Sequence, residues 1–202
     1  MITPEGEDTE VLRLVDAALQ GGADVVQVRQ KDASDRRALG LAREVVARCR
    51  EAGATCLVND RVHVALASGA DGVHVGDDDL PVPEVRRLMG GGAVIGATAR
   101  TPRGARARLE EGASYVGVGP VYATTTKDGL PGPIGPQALA AVVAAVDIPV
   151  VAIAGVTAAK VPELLAAGVR GVAVVGAIAA ATDPVAATRE LVEALTTARA
   201  DA

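Results

Sequence analysis

Tryptophan and phenylalanine are missing from this 202-residue sequence, and its only large aromatic side chains are Tyr115 and Tyr122. Any flat ring it binds must therefore rest mainly on aliphatic walls, with Tyr122 the one candidate ring for a binding mouth and packing beneath its loop the alternative. Cysteine is scarce too. Cys49 and Cys56 form no CxxC pair and have no paired histidines beside them, which argues against a zinc site and a disulfide scaffold and leaves both as core residues. Positive charge is outweighed: 20 Lys and Arg against 25 Asp and Glu give a formal net charge of −5. No cluster of basic residues appears. Such a chain has no general attraction to nucleic acid or anionic lipid, so an anionic ligand has to be held by a local site. The opening "MITPEGEDTE" lacks a signal pattern and no apolar run reaches membrane-spanning length, so the expectation is a soluble cytoplasmic protein.

Half of the residues are hydrophobic, and the length suits one globular domain over residues 1–202. Short runs rich in valine and isoleucine begin at Val25, Cys56, Gly72, Ala93, Tyr115, Pro149 and Gly171. Near-continuous apolar runs suit strands buried on both faces, as in a parallel sheet. Helical periodicity fills the gaps. From Ser34 to Ala52, for example, Leu39, Ala42, Val45, Val46 and Cys49 recur at spacings of three and four. The junctions "GGADVV" from Gly21, "SGADGV" from Ser68, "EGASYV" from Glu111 and "AAGVRGV" from Ala166 echo one another, each closing a helix on glycine before a strand. With a first strand at Met1 to Thr3, these echoes fall at every second βα unit. That pattern predicts a closed (β/α)8 TIM barrel, with a first strand either complete or shortened; a doubly wound open sheet shares the rhythm, but its G-x-G-x-x-G fingerprint is absent.

Barrel chemistry lies at the C-terminal ends of the strands. There the sequence places Gln27, Arg29 and Lys31, then Asn59 and Asp60, then Asp77, Asp78 and Asp79, then Thr98, then the loop "VYATTTKDG" with Thr124, Thr126 and Lys127. The two-residue spacing of Gln27, Arg29 and Lys31 predicts one shared strand face. Cations, hydroxyls and carboxylates in one mouth suit a phosphorylated substrate with a divalent cation, because magnesium takes one or two carboxylates and fills its other positions with water and phosphate oxygens. Thr124, Thr126 and Lys127 can hold phosphate oxygens. Near the last two strands, "AIAGV" and "VVGAI" set Gly155, Val175 and Gly176 where backbone N–H groups can approach a phosphate.

The ordered set "QVRQK", "VNDRV", "GADGVHVGDDDLP", "GATART", "YVGVGPVYATTTK", "PVVAIAGV" and "GVAVVGAI" resembles the thiamine phosphate synthase family across nearly the whole chain. The resemblance implies a cytoplasmic (β/α)8 transferase that joins hydroxymethylpyrimidine diphosphate to thiazole phosphate and releases pyrophosphate with Mg2+. It assigns Gln27, Arg29, Lys31 and Asn59 to the pyrimidine diphosphate, and Asp60 and Asp79 to the metal. Thr98, Thr124, Thr126 and Lys127 fall to the pyrophosphate, and Gly155, Val175 and Gly176 to the thiazole phosphate. Lys127, Lys31 and Thr98 are the expected catalytic group. Four positions depart from the family pattern: Gln30 for glutamate, Thr98 for serine, Ala154 for a second glycine, and Gly176 for serine. The Ala154 methyl is expected to crowd the phosphate path.

Blander assignments cover the remaining polar residues. His74 reads equally as packed core and as ligand, His63 as surface, Asp77 and Asp78 as loop caps, Asp24 and Asp71 as junction residues. Two other functions share this pattern. One is the sister thiazole tautomerase, which has the thiazole phosphate site without the pyrimidine coupling; the other is a non-catalytic phosphate-binding barrel. Asp60, Asp79 and the Thr-x-Thr-Lys loop favour the synthase.

Overall fold

The structure, a computed structural model, describes residues 1–124 and 131–200. Thr126 and Lys127 lie outside the described residues. Among those described, seven parallel strands pair in chain order: β1 (Val25–Val28), β2 (Thr55–Asn59), β3 (Gly72–Val75), β4 (Val94–Ala99), β5 (Tyr115–Val118), β6 (Val150–Ile153) and β7 (Gly171–Ala173). Helices α1 (Asp8–Gln20), α2 (Asp35–Ala52), α3 (Val62–Ser68), α4 (Val82–Met89), α5 (Pro102–Glu110), α6 (Gly135–Val143) and α7 (Val161–Ala166) alternate with them, and α8 (Gly176–Ala179) and α9 (Pro184–Ala200) follow β7. This is a TIM-like α/β fold. None of the described helices is long and apolar enough to cross a membrane.

The expected first strand is reduced to one parallel bridge, Ile2 to Gln27. Its hydrogen bonds run two ways: the Thr3 N–H donates to Gln27 O and the Gln27 N–H to Met1 O, while the Ile2 N–H donates to Val174 O just past β7, each at 2.9 Å. Pro4 has no N–H to extend the ladder, so it stops there.

Local chemistry explains the regular elements. Ser34 caps α2 by accepting from the Arg37 N–H, and Gly53 closes it in the left-handed conformation; the face it buries carries Leu41, Ala42, Val45, Val46 and Cys49. Val26, Val73, Ile95 and Val116 are wholly buried in the sheet. The repeated junctions also have one cause, since Gly22, Gly69, Gly112 and Gly168 all take φ between 72° and 96° at the turn from helix to strand. Gly96 and Gly117 serve a different need. The Tyr115 ring lies over Gly96, its direct partner on the neighbouring strand, where a Cβ would meet ring atoms at 2.1–2.4 Å; a Cβ on Gly117 would meet the His74 ring at 2.9 Å. Glycine in these strands makes room for the two rings.

Candidate functional site

At the end of β1 the shared face expected for Gln27, Arg29 and Lys31 is not realised, because the strand stops at Val28. Gln27 alone is on it, 7% exposed. Arg29 and Lys31 lie in the loop that follows, where the Arg29 N–H donates to Thr3 Oγ1 at 2.8 Å and the Lys31 N–H donates to Glu5 Oε1 at 2.8 Å. The same Glu5 pairs with the Arg29 guanidinium at 3.2 Å. Between them the buried Gln30 donates its amide to Pro4 O at 2.8 Å, which a glutamate carboxylate cannot do. This is a physical reason for glutamine at that position.

Two neighbouring strand ends bring Asp60 and Asp79 together, as their sequence positions predict. Lys31 Nζ lies 2.9 Å from Asp60 Oδ2. Asp79 accepts the Gly76 N–H at 2.8 Å and shares a hydrogen bond with Asp60. Burial first, and then the Asp60 contact, raises the Asp79 carboxyl above its ordinary range, with the Gly76 N–H and Lys31 pulling the other way. Asp60 also takes φ 62°, a left-handed conformation that is costly for a residue with a Cβ, and its N–H is fixed on His74 O at 2.8 Å. A cavity of about 110 Å3 is lined here by Gln30, Lys31, Asn59, Asp60 and Arg61. A larger one of about 580 Å3 lies at the opposite, N-terminal ends of the strands, lined by Thr55 at the start of β2, Val94 at the start of β4, and Asp71 as the one carboxylate among its lining residues.

Inside the sheet runs a polar chain that crosses four strands. The Gln27 side chain bonds the Tyr115 hydroxyl, which lies 2.9 Å from His74 Nδ1, and His74 Nε2 lies 3.1 Å from Thr98 Oγ1. Burial pushes His74 down to about 4, against the pull of the Asp79 charge, and pushes the Tyr115 phenol up. At neutral pH the imidazole is therefore uncharged, with one ring nitrogen to donate and one to accept. His74 is neither mere core nor a solvent-facing ligand: it orients the Thr98 hydroxyl. Arg108 steadies the same strand end through Thr98 O at 3.3 Å while paired to Asp77 at 2.6 Å and Glu111 at 2.8 Å, which engages Asp77 as a clamp. His63 is exposed and meets Asp35 at 3.1 Å.

Strand ends β5 to β7 carry the third group. Thr124 is the last described residue of the threonine loop. Ala154 and Gly155 turn the chain after β6 with φ 72° and 67°. Tyr122 has one ring face and its hydroxyl engaged: Lys160 Nζ stands 4.1 Å from the ring centroid, and the hydroxyl donates to Glu163 Oε2 at 2.5 Å. Lys160 Nζ also donates to Gly155 O at 2.7 Å. After β7, Val175 precedes α8, which begins at Gly176, so its first amides have no intrahelical acceptor.

The two turn residues differ in tolerance. A Cβ on Gly155 would meet Ala123 O at 2.5 Å and Tyr122 Cβ at 2.7 Å, whereas the Ala154 methyl is already accommodated. Gly155→Ala is expected to cost about 2 kcal/mol or more, through left-handed strain and contact with backbone. Relief of strain in Ala154→Gly, about 1 kcal/mol, is offset by unfolded-chain entropy of similar size, so it should change stability by less than about 1 kcal/mol. Denaturant midpoints decide this, and equal midpoints for the two variants would refute it.

Sequence reasoning placed the Asp60 and Asp79 pair but missed Glu5, Arg108, Lys160 and Glu163. Lys160 and Glu163 read as an ordinary surface pair three residues apart, and nothing in the order of residues joins them to Tyr122.

A parallel TIM-like sheet with paired carboxylates, cations and a tight glycine turn at its C-terminal strand ends defines a phosphate-handling α/β protein. A family model described as thiamine monophosphate synthase matches residues 1–178, and the chain belongs to that family. It is 56% identical to a thiamine-phosphate synthase of Salinispora arenicola over 199 residues, covering 97% of this chain and 96% of the relative. Its identity to the thiamine-phosphate synthase of Salinispora tropica is 54% over the same shares. Among solved structures, thiamine phosphate pyrophosphorylase from Pyrococcus furiosus superposes with a TM-score of 0.86 at 35% identity, covering 93% of this chain and 90% of that one.

Proposed function

We propose that this chain is a magnesium-dependent cytoplasmic transferase that couples 4-amino-2-methyl-5-hydroxymethylpyrimidine diphosphate to thiazole phosphate, giving thiamine phosphate and pyrophosphate. Family membership supports the reaction, and one observation carries the reading to this site: Lys31, Asp60 and Asp79 meet at adjacent strand ends. The donor set fits magnesium. Two hard carboxylates that repel one another suit a small divalent cation, and among the described residues no third His, Cys, Asp or Glu joins them, which leaves positions for water and diphosphate oxygens. Bound between Asp60 and Asp79, the ion would neutralise charge gathering on the leaving pyrophosphate.

In the reaction the methylene C–O bond breaks and pyrophosphate takes the electron pair. An aminopyrimidine stabilises the positive methylene carbon that remains. The thiazole nitrogen then donates its lone pair to form the new C–N bond. No general base has to act first. The chain's own part is to meet the growing negative charge with Lys31, Lys127 and hydroxyls of Thr98, Thr124 and Thr126, and to hold both substrates in line. Arg29 and Lys31 are paired with Glu5 and Asp60, so a diphosphate would take over donors already held in place. Gln27 and Asn59 face the pyrimidine, and Gly155, Val175 and Gly176 the thiazole phosphate. We assign residues 1–3 to the shortened first strand of a closed eight-stranded barrel, an assignment supported by their hydrogen bonds toward both β1 and Val174. The Asp60 and Asp79 pair favours this synthase over a thiazole tautomerase, which has no diphosphate to bind.

Incubating the purified chain with both substrates and Mg2+ tests the reading: thiamine phosphate and pyrophosphate should appear in equal amounts, and neither should appear if either substrate is left out. Thr98 sharpens it. Thr98→Val keeps the shape but leaves His74 Nε2 and the pyrophosphate without their hydroxyl, so activity should fall about tenfold or more, while Thr98→Ser should stay near the parent. Equal kcat/KM for the two variants would remove Thr98 from the list of donors.

A further inference from the structure

The turn at Ala154 and Gly155 is held open by more than its own sequence. Two consecutive left-handed residues persist only where their surroundings over-determine them. Three contacts do so. The Tyr122 N–H donates to Ala154 O at 3.2 Å, the backbone of Ala123 closes on the Gly155 Cα, and Lys160 Nζ donates to Gly155 O at 2.7 Å.

Lys160 is itself locked. Its ammonium lies 4.1 Å from the centroid of the Tyr122 ring, and that ring is anchored through its hydroxyl to Glu163. Burial and the Glu163 carboxylate push the phenol up to about 12, so the hydroxyl keeps its proton and donates it. Lys160 is half-buried, yet among the described residues it pairs with no carboxylate. An ammonium has three N–H donors and Gly155 O takes one. A positive charge held in place beside a glycine turn, with donors to spare and no carboxylate paired to it among the described residues, is built for an anion.

We propose that Lys160 is a positioning and specificity residue of the thiazole phosphate subsite. It fixes the Gly155 turn through the carbonyl and directs its remaining donors and charge to the substrate's phosphate. This rests on the synthase reading of the site. The lysine selects the phosphorylated thiazole over its unphosphorylated alcohol, a discrimination that backbone amides alone would make more weakly.

The test uses the full chain with Lys160→Met, which keeps the length of the stem and removes the charge, and Lys160→Arg, which keeps the charge. In Lys160→Met the KM for thiazole phosphate should rise about tenfold or more, the size of a lost charge-assisted hydrogen bond. The KM for the pyrimidine diphosphate and kcat at saturation should change less than about twofold, within the scatter expected of a contact not made in that step. Preference for thiazole phosphate over the thiazole alcohol should fall by the same factor, and Lys160→Arg should restore most of it. An unchanged KM in a folded Lys160→Met protein overturns the proposal, and so does an equal loss for phosphate and alcohol, which is what loosening of the turn alone would produce. If the parent chain makes no thiamine phosphate, it is the synthase reading that fails. Calorimetry with inorganic phosphate then still judges the lysine, and equal affinities in parent and Lys160→Met overturn its role.

Discussion

Asp79→Asn is expected to lower thiamine phosphate formation by about 10²-fold or more while leaving the protein at least as stable as its parent. The two effects separate because the carboxyl works against the fold. Burial and the Asp60 contact raise its affinity for a proton, a sign that an ionised Asp79 beside Asp60 is disfavoured until a cation arrives. Asparagine has the same size, and its amide oxygen can still accept the Gly76 N–H that Asp79 accepts at 2.8 Å. It removes the repulsion and the metal ligand together. Calorimetry should show pyrimidine diphosphate binding that no longer strengthens with Mg2+, and thiazole phosphate binding almost unchanged. A variant that binds the diphosphate and responds to Mg2+ like the parent would reduce Asp79 to a loop residue.

Lys127→Ala should cost about 10²-fold or more in kcat, the scale of losing one preorganised donor at a site of growing charge. Lys127 lies outside the described residues, so this prediction stands on the "TTTK" motif and on electrostatics. Pyrophosphate leaves with more negative charge than it carries as an ester, and a lysine that meets it contributes more at the transition state than in the bound substrate. The loss should therefore appear in kcat as much as in kcat/KM. Thiazole phosphate affinity should be nearly untouched. A folded Lys127→Ala protein with parental turnover would sink the role.

Much of the site was legible because parallel strands impose a common direction. Once the apolar runs from Cys56 and Gly72 are read as neighbouring strands, the residues just past them have to share one end, and Asp60 and Asp79 do meet. The same logic failed one step earlier. Alternation predicts a common face for Gln27, Arg29 and Lys31 only while the strand lasts, and β1 ends at Val28, so Lys31 reaches Asp60 from a loop. Tyr122 shows a different limit. Its ring position was legible as near the mouth, but its partners Lys160 and Glu163 come from a segment about forty residues later, and no local pattern encodes that meeting.

By itself the sequence determined the elements and the direction in which they run: valine-rich runs that tolerate burial on both faces, amphipathic helices between them, and glycines wherever the chain had to leave a helix in the left-handed conformation. These are local preferences, set by side-chain shape, hydrophobic period and backbone sterics. Tertiary structure alone decided which polar groups satisfy one another. Gln27, Tyr115, His74 and Thr98 come from four strands spread over about ninety residues, and they form one chain because a buried donor or acceptor has to find a partner in whatever the fold brings near. The same requirement put Gln30 on the Pro4 carbonyl and set the Lys160 ammonium against the Gly155 turn.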